Sequence, residues 1–140
     1  MESAMTVAQS WQRCRTAQFS VQLHTAGVVI TADGELDAAN ADQLATYVQR
    51  NVARAGRVIL DLRGLEFIGT AGFSALHRIN VACSAEQVQW ATVPSAAVAR
   101  LLRVCDPDGT LPITEATDEP LLQAAHRSDG RQRPLLQLVP

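Results

Sequence analysis

Residues 57–85 read RVILDLRGLEFIGTAGFSALHRINVACSA, and this stretch decides the fold. Val58-Ile59-Leu60-Asp61-Leu62 is a short apolar run of the kind found in a fully buried strand. A turn follows, and Phe67-Ile68-Gly69-Thr70-Ala71-Gly72 opens a different pattern, in which Gly72, Leu76, Ile79 and Cys83 recur on one face of a helix. A buried strand followed within a few residues by an amphipathic helix is the building unit of an α/β domain. Thr70 stands at the start of that helix. A hydroxyl there is placed to cap free backbone N–H groups, and a phosphate at the same point would accept hydrogen bonds from them.

Towards the N-terminus, Phe19, Val21 and Leu23 alternate with Ser20, Gln22 and His24, the period of a half-buried strand. A turn at Ala26-Gly27 leads into Val28-Val29-Ile30-Thr31-Ala32, so the two runs read as a hairpin that Asp33-Gly34 interrupts. After Gly34-Glu35-Leu36-Asp37, Asn40 and Gln43 have the spacing of a capping box. Leu44, Tyr47, Val48 and Val52 then fall on one helical face up to Gly56. Residues 1–18 lack a sustained period and read as an arm, or as a short helix using Val7, Trp11 and Cys14.

Towards the C-terminus, Val88 to Val93 reads as a strand. Pro94-Ser95 stops it and caps a helix whose Val98, Leu101, Leu102 and Cys105 repeat at i, i+3, i+4 and i+7. Asp106-Pro107-Asp108-Gly109 ends that helix. Leu111 to Thr114 reads as a brief edge strand, a place that tolerates Pro112, and Pro120 to His126 as a last short helix. The expected organisation is an arm over 1–18, one α/β domain over 19–126 and a tail over 127–140, with a mixed sheet of four to five strands and about four helices.

A chain of 140 residues, 47% hydrophobic, is long enough for one domain with a real core. Its 14 acids and 12 bases leave a net charge of −2 with no concentrated basic field, which argues against nucleic acid as a partner. No apolar run approaches the roughly 18 residues of a membrane span, and Met1 to Gln18 lacks the pattern of a signal peptide, so a cytoplasmic protein is expected. All the bases are Arg, and Ala is abundant, as in proteins from GC-rich bacterial genomes. Cys14, Cys83 and Cys105 lack metal-ligand spacing and cannot all pair within one molecule, as expected in a reducing compartment.

Enzyme chemistry finds little support. Ser74 and His77 lie three apart on one helix with no acid to orient the imidazole, and His24, His77 and His126 are scattered. Gly69 to Gly72 lacks the glycine spacing and Lys of a phosphate-binding loop. Asp61 reads as a strand-end residue capping the next turn. No enzyme activity, cofactor or metal is expected.

The order of these elements, with Gly34-Glu35-Leu36-Asp37 after the second strand, Val58 to Leu62, Phe67 to Gly72 and Leu111-Pro112-Ile113, resembles the STAS domain. That module is shared by sulfate transporters and bacterial anti-sigma factor antagonists, and the resemblance covers about Phe19 to Ala125. In the antagonists the turn reads Asp-Ser followed by a small residue and Gly. The Ser is phosphorylated by a histidine-kinase-like partner that is also the anti-sigma factor. Thr70 occupies the Ser position, and Gly69 replaces the Asp. The resemblance implies partner switching: the unmodified protein binds the anti-sigma factor and frees a sigma factor, and the phosphorylated form lets go. Thr70 as a plain helix cap stands beside this reading.

The second helix also has an outward face with Ser74, His77, Arg78, Val81 and Ser84, where a partner is expected. The resemblance to the STAS domain implies that the loop Asp33 to Asn40 lies beside this helix, so that Glu35, Asp37 and Asn40 complete the patch with Gly69 and Thr70; Asp37 alternatively caps the first helix. Two further classes compete: a ligand-sensing or scaffold module binding a small anion or nucleotide at the same helix start, and a redox regulator pairing Cys83 with Cys105. Oligomeric state is left open.

Overall fold

Two apolar runs joined by a tight turn can satisfy their backbone groups only by pairing, and Ala17–His24 (β2) and Gly27–Leu36 (β3) form the expected antiparallel hairpin. The computed structural model describes residues 8–14, 16–53, 55–118 and 120–124. Ala8–Cys14, expected within an arm or short helix, is instead strand β1, paired antiparallel with β2 from Ala8↔Leu23 to Cys14↔Ala17. A polar edge strand takes its order from its neighbour's hydrogen bonds, so it leaves little periodicity to read. The expected tail over 127–140 lies outside the described residues.

From β3 the chain crosses through α1 (Ala41–Val52) to β4 (Arg57–Ile68), then through α2 (Thr70–Ala85) to β5 (Gln89–Val93), and ends in α3 (Ala96–Cys105). The sheet order is β1-β2-β3-β4-β5, with β3, β4 and β5 parallel. Both crossovers step in the same direction, and right-handed connections therefore bring α1 and α2 to the same face.

That face holds the main core. Phe19, Ile30, Leu60 and Leu62 from the sheet meet Leu44, Val48 and Val52 of α1, Leu76, Ile79 and Cys83 of α2, and Val98 and Leu102 of α3. Phe19 and Tyr47 add a tilted ring contact at 5.8 Å. The helical stripes therefore lie where their spacing puts them. On the opposite face Val29, Ile59, Ala91 and Val93 are covered by Leu121 and Leu122 of a helical turn over 120–124. The expected last helix is present over those residues, and Ala125 and His126 lie outside the description.

Two local expectations change and one holds. β4 runs on to Ile68 instead of turning after Leu62, so Asp61 is a mid-strand residue. Its carboxylate is bound at both oxygens by Arg63, Nε at 2.9 Å and Nη2 at 2.8 Å. The expected edge strand at Leu111 to Thr114 shrinks to one bridge, Thr92↔Ile113, because Pro112 has no N–H to continue a ladder. Ser95 caps α3 as expected, accepting from the Val98 N–H at 3.2 Å.

Candidate functional site

The β3–β4 pairing continues to Glu35↔Phe67 and Leu36↔Ile68, after which the Gly69 N–H donates to the Leu36 carbonyl at 2.9 Å. Gly69, with extended backbone (φ −91°, ψ −179°), is the N-cap residue of α2, and no side chain caps the helix. Thr70 is therefore the first helical residue and not the expected cap; its side chain is exposed. One more residue drawn into strand pairing moved the cap position to a residue without a hydroxyl.

Gly72 sets how close α2 sits to the sheet. A Cβ at residue 72 would collide with the Ile68 side chain and stand 3.2 Å from Leu36 Cδ2. Any side chain there would force Ile68 and Leu36 or the first turn of α2 to shift.

The loop after β3 is stapled by a buried side chain. Asn40 Nδ2 donates to the Glu35 carbonyl at 2.9 Å, and Asn40 Oδ1 accepts from the Asp37 N–H at 2.9 Å. Asn40 stands at the N-cap of α1 but makes no side-chain cap, so the expected capping box with Gln43 does not form. Asp37 does not cap α1 with its carboxylate either; Oδ1 accepts from the Ala39 N–H at 2.9 Å in a turn of its own. Gly34, at φ 102°, lets the chain pass against the Thr16 carbonyl, which accepts from the Glu35 N–H at 3.1 Å.

Glu35, Asp37, Gly69 and Thr70 thus gather at the C-terminal ends of β3 and β4. Ser74, His77, Arg78, Val81 and Ser84 continue from them along the solvent face of α2, all exposed. Val81 is 56% exposed, and Arg78 reaches across to Asp42 of α1 at 2.7 Å. Asn40 belongs beneath this surface as its support.

Two residues of the patch escaped the sequence reading. Phe67 is 50% exposed, and its ring stands 3.6 Å from where a Cβ of residue 69 would be. Glu66 beside it is exposed. Their signal was hidden by the β3–β4 register irregularity between Gly34 and Glu35, which breaks strict alternation at the strand end.

No disulfide joins the described cysteines. Cys83 and Cys105 are free thiols, and Cys83 is fully buried, its pKa pushed up to about 11 by burial. Such a thiol packs as a small hydrophobe. Among the described residues no group of three or more His, Cys, Asp or Glu could hold a metal ion, and no helix is long and apolar enough to cross a membrane. Asp33 projects to the face opposite the helices, where burial, and then the Asp61 carboxylate, raise its pKa.

Comparison with known proteins agrees with this architecture. The STAS domain family profile matches residues 18–119. Osmosensory protein A of Mycobacterium tuberculosis is 34% identical over 127 residues, 88% of this chain and 80% of the relative. The anti-sigma-F factor antagonist RsfA of the same species is 29% identical over 106 residues, 73% of this chain and 83% of the relative. An anti-sigma factor antagonist from Mycobacterium paratuberculosis shares the fold, with a TM-score of 0.62 at 20% identity over 91% of this chain and 99% of the other. The chain belongs to the STAS domain family, among relatives that include bacterial anti-sigma factor antagonists.

Proposed function

We propose that this protein is a cytoplasmic, non-enzymatic anti-sigma factor antagonist. It binds a histidine-kinase-like anti-sigma factor through the start of α2, and that binding frees a sigma factor. The observation that carries this reading is the exposed Thr70 at the first position of α2, beside a loop held by the Gly69–Leu36 hydrogen bond. The naming of a relative as an anti-sigma-F factor antagonist supports it.

The hydroxyl of Thr70 does no capping, so it is free to take part in chemistry. Transfer of the γ-phosphoryl group of ATP to Thr70 Oγ1 leaves ADP and places about −1.5 to −2 charges at a helix N-terminus, which favours negative charge. The fold tolerates the phosphate, while a partner packed on the turn must desolvate it. A loss of about 1.4 kcal/mol in the complex is a tenfold change in affinity, within reach of one phosphate. Gly69 supplies no carboxylate beside the hydroxyl, so orientation of the acceptor falls to the partner.

The test is incubation of the protein with ATP, Mg²⁺ and each histidine-kinase-like anti-sigma factor of the source organism, followed by native and peptide mass spectrometry. The reading predicts a complex without ATP, and phosphate mass on Thr70 with loss of the complex when ATP is present. Absence of any complex contradicts it.

A further inference from the structure

We infer that the partner surface meeting this end of α2 carries an apolar pocket for Phe67, bordered by Arg or Lys side chains that face Glu35, Asp37 and Glu66. This rests on the antagonist reading above and specifies the chemistry of the partner.

Phe67 is one of the large apolar side chains left exposed, at 50%, and its backbone is not free to withdraw it. Residue 67 pairs with Glu35 in the parallel ladder, Ile68 behind it is buried, and the Gly69 N–H is tied to Leu36. An aromatic side chain held out rigidly loses little freedom on docking, and such residues are the ones that anchor protein interfaces.

The surroundings are acidic. Glu35 is the register partner of Phe67, Glu66 precedes it in the chain, and Asp37 follows Leu36, the residue bonded to Gly69. Among the described residues none of these three carboxylates has an ion pair. The exposed arginines on either side are engaged elsewhere, Arg63 with Asp61 and Arg78 with Asp42. With acids and bases nearly balanced along the whole chain, three carboxylates without an ion pair, on the register partner of Phe67, the residue before it and the loop residue after Leu36, make a local arrangement. It complements a basic rim around an apolar pocket. The rim also sharpens the Thr70 switch: a partner's bases are matched by carboxylates, so an added phosphate meets Glu35 and Asp37 without spare countercharge.

The test measures binding of the source organism's purified anti-sigma factors by surface plasmon resonance between about 50 and 300 mM NaCl. The proteins compared are wild type, Phe67→Ala and the triple variant Glu35→Gln, Asp37→Asn, Glu66→Gln. Far-UV circular dichroism confirms that each variant folds, and Phe67→Leu serves as a partial rescue. Phe67→Ala is expected to lower affinity about 30-fold, the loss typical of a hot-spot residue. The triple variant is expected to slow association about tenfold at low salt and to flatten the salt dependence. A complex that forms but is unchanged by Phe67→Ala and insensitive to salt overturns this inference and leaves the antagonist reading standing. No complex with any anti-sigma factor overturns both.

Discussion

The Gly69 N–H donates to the Leu36 carbonyl at 2.9 Å, joining the end of β3 to the start of α2. Because of that bond the loop over residues 37–40 and the first turn of α2 form one surface. The residues on it share a rigid footing.

Gly72→Ala should disturb that footing directly. The new methyl collides with Ile68 and crowds Leu36, and overpacking of this kind costs about 1–3 kcal/mol. The expected result is a lower melting temperature together with weaker partner binding. Unchanged melting would mean that α2 does not sit as close to the sheet as described.

Thr70→Ala should be nearly silent in stability, because Thr70 caps nothing. A change within about 0.5 kcal/mol is expected, as for other exposed surface positions, where a true N-cap would lose about 1 kcal/mol. Ser95→Ala is the matched control: Ser95 accepts from Val98 at 3.2 Å, and its loss should cost about 1 kcal/mol. Urea unfolding of the two variants side by side separates them.

Asn40→Ala removes both bonds of the loop staple, to the Glu35 carbonyl and from the Asp37 N–H. Asn40 is fully buried; without it the Asp37 N–H loses its partner in a partly buried setting, while the Glu35 carbonyl keeps the Thr16 hydroxyl at 3.3 Å. A cost of about 1–2 kcal/mol is expected for one partly buried group left unsatisfied. Hydrogen exchange should show faster opening at Asp37.

Acid should weaken the fold in two steps. Burial lowers the pKa of His24 below 6.5, and its Nε2 is buried without a partner. The folded state thus binds this proton less well than the unfolded chain, and stability falls as pH drops through 6.5. Asp106 is lowered below 3.8, first by the Thr110 hydroxyl and then by the Leu111 and Thr110 N–H groups, so its contribution is lost below about pH 3.8. Asp33 acts the other way: its raised pKa makes the ionised form a burden at neutral pH that protonation relieves. Melting temperature against pH should lose its slope near and below pH 6.5 in His24→Gln, and Asp33→Asn should melt higher than wild type at pH 7.

Much of the fold was legible because burial leaves a period. The stripe Gly72, Leu76, Ile79, Cys83 points inward as its spacing dictates, as do Phe19 and Val21, whereas Leu23, read into the same alternation, is 43% exposed and Ser20 and Gln22 are buried. What was not legible depended on partners distant in sequence. β1 is a polar edge strand ordered by pairing with β2. The extension of β4 to Ile68 comes from its ladder with β3, and that ladder moved the N-cap of α2 from Thr70 to Gly69. The capping motifs at Asn40 and Thr70 were read from spacing alone, while other bonds of the same loop took the Asn40 side chain and the strand pairing beyond Leu36 set the cap position at Gly69. The exposed part of the site, Thr70 with the face of α2, followed from helical geometry; Phe67 needed the register irregularity that only the folded sheet reveals.

Displacement of a sigma factor from its anti-sigma factor tests the central claim most directly, with wild type and Thr70→Asp titrated into the purified sigma–anti-sigma complex. Asp at the first position of α2 suits the helix dipole, so both proteins should fold equally well. Wild type is predicted to release the sigma factor near stoichiometric concentration, and Thr70→Asp to need at least about tenfold more, the equivalent of about 1.4 kcal/mol. Equal release by both, or release by neither, would contradict the account.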